Sequence, residues 1–132
     1  MTPEEFAAAI KNTVFDATVK DVSNLLARGA PGRAQNPRAN ALTAWYAGLS
    51  NEDRTMLTEV IRDTAHSAIF GLLCVLDGVS AIDDPPHVEL VLTAVAPDGT
   101  ATTLASTQTP IELHDEFNAE VHPPSEPWPP KP

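Results

Sequence analysis

SNEDRTMLTEVIRDTAHSAIFGLLCVLDG, residues Ser50 to Gly78, reads as one long helix that carries most of the core. Ser50 followed three residues later by Asp53 is a start signal, with an acid near the positive end of the helix dipole. Gly78 is a stop signal, because glycine adopts the left-handed conformation that closes a helix. Between them Leu57, Val60, Ile61, Ala65, Ala68, Leu72 and Val75 recur at three- and four-residue spacing and draw an apolar stripe. From Ala68 to Leu76 the polar face disappears, so AIFGLLCVL is expected to be covered on nearly all sides, with Leu72 in the core. Gly71 inside this run implies a neighbouring element packed too closely for a Cβ.

The elements around this helix follow from similar signals. Thr2, Pro3 and Glu5 have the order of cap, first helical residue and capping-box acid, and open a helix expected from Pro3 to Arg28. Its stripe of Phe6, Ile10 and Val14 continues through Phe15, Val19, Val22 and Leu26 with a slight shift of phase. GAPGRAQNPR, residues 29 to 38, is a loop by composition, and its arginines lack the spacing of a phosphate loop. Ala39 to Leu49 is a shorter helix with Leu42, Trp45 and Leu49 on one side, and one of Trp45 and Tyr46 is expected in the core. After Gly78 the period changes. Val79 to Ile82 reads as a brief strand and His87 to Val95 as a longer one, with alternation at Val88, Leu90, Leu92 and Ala94. Pro97-Asp98-Gly99 is a turn and Thr100 to Thr107 the returning strand. Leu113, Phe117 and Val121 then mark a short helix.

The expected architecture is α+β: two or three helices, including one long central helix, packed on one face of a small antiparallel sheet. Residues 1–121 form a single domain, and 122–132, HPPSEPWPPKP, form an extended tail holding six of the chain's thirteen prolines. Overlapping P-x-x-P spacings around Trp128 resemble ligands of aromatic-lined grooves.

With 132 residues the chain is long enough to bury a core without disulfides or metals. Its one cysteine, Cys74, lies in the most apolar part of the long helix and reads as a small buried hydrophobe. MTPEEF opens with acids where a secretory signal carries Lys or Arg, and the longest apolar run is far short of the ~20 residues that span a bilayer. The expectation is a soluble, cytoplasmic protein. Net charge is −10 and uneven: residues 1–49 hold five bases against four acids, and 50–132 hold three against fourteen, giving +1 and −11. Nucleic acid and anionic membrane are therefore poor partners for the C-terminal part; its charge suits either a basic protein partner or simple solubility.

Chemistry-bearing residues occur as fragments. His114-Asp115 repeats the dipeptide of metal-dependent HD phosphohydrolases, without the further His and Asp such a site needs. Asp83, Asp84, His87 and Glu89 offer nitrogen and oxygen ligands at spacings that no helix or hairpin makes convergent. Asp63, His66 and Ser67 lie within one turn and read as the polar face of the long helix, not as a catalytic triad. No catalytic residue, cofactor or bound metal is expected.

AWYAGL (44–49), VLDGV (75–79) and LHDEFN (113–118) resemble segments of small free-standing bacterial proteins with no assigned activity, and the resemblance implies no site residues. The leading functional expectation is a non-enzymatic acidic protein that binds a basic protein partner through Asp77, Asp83, Asp84 and Glu89. By analogy of charge and size, its sharpest version is an immunity-type inhibitor. One alternative is a small enzyme or ligand-binding protein with a pocket near Trp45, His87, His114 and Asp115. The other is a homodimeric interaction domain joined through its first helix.

Overall fold

The computed structural model describes residues 1–29 and 36–122, and the tail expected over 122–132 falls outside them from residue 123 on. The chain is α+β, with four helical rods and a two-stranded antiparallel sheet among the described residues. The first rod is capped as its sequence implies: Thr2 Oγ1 accepts the Glu5 N–H and Glu5 Oε2 accepts the Thr2 N–H. It runs without a break through α1 (Pro3–Ile10), a π-helical segment (Lys11–Asp16) and α2 (Ala17–Arg28). The π turn lies where the apolar stripe shifts phase. Its extra residue carries the stripe from Ile10 to Phe15, so Phe15 is fully buried and Val14 is turned outward. α3 (Pro37–Ala47) is capped by Asn36 and packs on α2. α4 (Asn51–Leu76) starts at Ser50, whose hydroxyl accepts the Asp53 N–H, and stops at Gly78, whose φ is +78°. α5 (Leu113–Val121) closes the fold against α1 and α4.

The core joins Ala7, Phe15 and Val19 of the first rod, Ala65 and Leu73 of α4, Ala105, and Leu113, Phe117 and Val121 of α5. Phe15 meets Phe117 edge-on at 6.1 Å between ring centres. β1 (Leu92–Val95) pairs with β2 (Ala101–Ala105), with Leu92 opposite Ala105 and Val95 opposite Ala101, and Pro97-Asp98-Gly99 forms the turn. The sheet is smaller than the alternation suggests. Residues 79–91 make no strand: the ladder stops at Leu92 opposite Ala105.

Three details of the central helix differ from the sequence reading. Leu72 is 59% exposed, whereas its neighbour Leu73 is 2% exposed. The stripe that packs inward is Ile61, Ala65, Ile69, Leu73 and Leu76, so the described residues cover the 68–76 run on one side only. A Cβ at Gly71 would meet nothing within 4 Å among the described residues, so none of them is the close neighbour that would compensate a glycine costing roughly 1 kcal/mol relative to alanine. On α3, Trp45 is exposed and Tyr46 is half-buried beneath the Arg54 guanidinium, so neither ring enters the core.

Candidate functional site

The junction between the end of α4 and the start of α5 holds a connected polar network on a buried carboxylate. Asp77 follows the last residue of α4 and is buried. Its Oδ1 accepts the Leu113 N–H at 3.0 Å, and its Oδ2 accepts the His114 N–H at 2.9 Å. Glu112, the residue in the cap position of α5, makes no side-chain capping bond. Asp77 therefore caps that helix from thirty-six residues away. Asp77 Oδ2 also lies 2.7 Å from His114 Nδ1, and a carboxylate only accepts, so the network assigns the Nδ1 proton to this bond.

With Nδ1 so engaged, His114 Nε2 faces Glu112 Oε2 and Asp115 Oδ1, each 3.5 Å away. These three donor atoms lie within 4.8 Å of one another. They could hold a cation, with Asp77 orienting the imidazole as carboxylates orient metal-bound histidines. Phe70 packs edge-on against the His114 ring at 5.4 Å. On the other side of Phe70, His66 stacks at 5.5 Å and also contacts Phe117 and, at 4.7 Å, His122. His66 does not turn toward Asp63 or Ser67: its Nε2 bonds Asn118 Oδ1 at 3.0 Å. Burial lowers the His66 pKa, His122 adds to the lowering, and the Asn118 bond opposes it. Burial raises the Cys74 pKa, reinforced by the charges of Asp77, Asp115 and Glu112, which works against a reactive thiolate.

The expected site residues separate into different places. Asp77 faces α5 and not solvent, so it holds the fold and is removed from the surface patch. Asp83 Oδ1 lies 3.2 Å from His87 Nδ1, and Asp83 Oδ2 accepts the Val88 N–H at 2.9 Å. Glu89 Oε1 accepts the Thr107 hydroxyl at 2.9 Å, and Asp84 is exposed. Among the described residues no hydrogen bond, ion pair or ring contact joins Trp45, His87 and His114 to one another. Trp45 stands on α3, which packs on α2. His66, Asn118 and His122 were not singled out together by sequence reading. Their signal was there: His114, Asn118 and His122 recur every four residues on α5 beside the buried Leu113, Phe117 and Val121.

Asp77 thus anchors the start of a segment, 79–91, that has no regular structure yet is tied by Asp83 and by Glu89. It exposes more than half of Val79, Ile82, Val88 and Val91, interleaved with Asp84 and Glu89. No described helix is long and apolar enough to cross a membrane. No protein-family model, curated protein or solved structure matches the chain.

Proposed function

We propose that this chain is a non-enzymatic binding protein that grips a basic protein partner with segment 79–91, in the manner of an immunity-type inhibitor. The observation that carries this reading is the concentration of exposed valine and isoleucine with acids on one tied loop. Interfaces place apolar side chains at their centre and charges at the rim, where opposite charge steers the approach. Asp84 and Glu89 supply that rim, Val79, Ile82, Val88 and Val91 the centre, and the −11 balance of residues 50–132 the longer-range field. Asp83 holds the loop in one shape, which lowers the ordering cost of binding.

The test is capture of a partner from the native host, followed by kinetics on the purified pair. Association is expected to slow steeply between low and physiological salt, and Asp84→Asn to slow it further. Ile82→Ser is expected to act on dissociation instead. Kinetics indifferent to salt and to both substitutions would remove this reading.

A further inference from the structure

α4 has a second face that nothing described covers. Met56, Val60, Thr64, Ser67, Ala68, Gly71 and Leu72 are all exposed along it. α5 covers the side of α4 bearing Phe70 and Leu73, and the first rod covers the side bearing Ala65. The centre line of the open face, Val60, Thr64, Ser67 and Gly71, has alternating four- and three-residue steps, the spacing of a helix–helix seam, and it runs out at half-buried Leu57 on one side and buried Cys74 on the other. None of its members is charged, in a chain of net charge −10. The Thr64 hydroxyl donates to Val60 O at 2.7 Å and so is already satisfied within the helix.

We infer that this face is the seam of an antiparallel two-fold dimer, α4 against α4 of a second copy. A two-fold between Thr64 and Ser67 sets Val60 opposite Gly71 of the partner copy and Met56 opposite its Val75. In these two pairs a bulky residue meets a small or half-buried one, as an interface that pairs a surface with itself requires. The site at Gly71, open in the monomer, becomes the notch that receives Val60. Asp63, the acid at the seam's edge, falls opposite Ala68, whereas a parallel pairing would set Asp63 near Asp63 and Gly71 against Gly71. Any other protein would have to bring its own uncharged notch and knob, and this chain already carries both. Complete burial of these exposed residues would remove roughly 1,000 Å² in all over the two copies, the lower bound for a specific interface and the range of a weak dimer.

The experiment is sedimentation of the full chain from about 1 to about 100 μM, with thermal melts of each variant. The wild type is expected to pass from monomer to dimer in that range, and Val60→Asp to stay monomeric with an unchanged circular dichroism spectrum. Gly71→Leu separates the seam from ordinary folding. It is expected to raise the melting temperature at low concentration while weakening the dimer by roughly tenfold or more. A wild type monomeric throughout, or a dimer indifferent to Gly71→Leu, would overturn the inference. So would a dimer that forms only after truncation behind His122, which would assign the face to the chain's own C-terminal segment.

Discussion

Both faces of α4 carry large apolar side chains, and their fates are opposite. Ile61, Ala65, Ile69 and Leu73 pack into the core, while Met56, Val60, Ala68 and Leu72 stay in contact with solvent. Hydrophobicity therefore states which residues gain from being covered, not which neighbour arrives to cover them. That is decided by the first rod and α5, which reach one side of the helix only.

The sharpest way to break this comparison is at adjacent leucines. Leu73→Ala is expected to cost about 2 to 5 kcal/mol, because it opens a cavity between α4 and its neighbours. Leu72→Ala is expected to cost less than about 0.5 kcal/mol at dilute concentration. Denaturant melts of the two variants would exchange order if the inward face had been assigned the wrong way round.

A smaller effect is expected at the α4–α5 junction. Asp77→Ala leaves the Leu113 and His114 amides and His114 Nδ1 without their acceptor, a loss of about 2 to 4 kcal/mol. Amide exchange is expected to quicken first at Leu113 and His114. Protection unchanged at those two amides would mean that Asp77 does not cap α5.

The smallest expected effect comes from His66, which shares its face with α5. Its pKa is lowered in the fold from 6.5, so the unfolded chain binds the proton first. Stability is therefore full above pH ~6.5 and is lost as pH falls through the folded value. Protonation would charge a ring that is partly buried against Phe70 and Phe117. His66→Asn is expected to flatten this part of the pH–stability curve, and an unchanged slope would show that another group carries it.

Much of the local structure was legible because it depends on neighbours in the chain. The Thr2–Glu5 capping box, the Ser50 cap, the Gly78 stop and the Pro97–Gly99 turn are short-range geometry, and each appears where the residues imply it. Even the phase shift near Val14 proved to mark the π turn. The candidate site was less legible. His114 stood out in the sequence, but Asp77 was read as a surface charge, because only the folded chain brings a residue thirty-six positions away onto the first turn of α5.

By itself the sequence determined the α+β class, the long central helix, its caps, the acidic C-terminal half and the apolar side chains available for burial. These rest on local propensity, spacing and composition, which need no knowledge of what lies across space. Only the tertiary structure decided which face of α4 is core, that 79–91 remains outside the sheet, and that Asp77 joins two helices. Each of those outcomes depends on long-range contacts, and a periodic apolar pattern is compatible with more than one set of them.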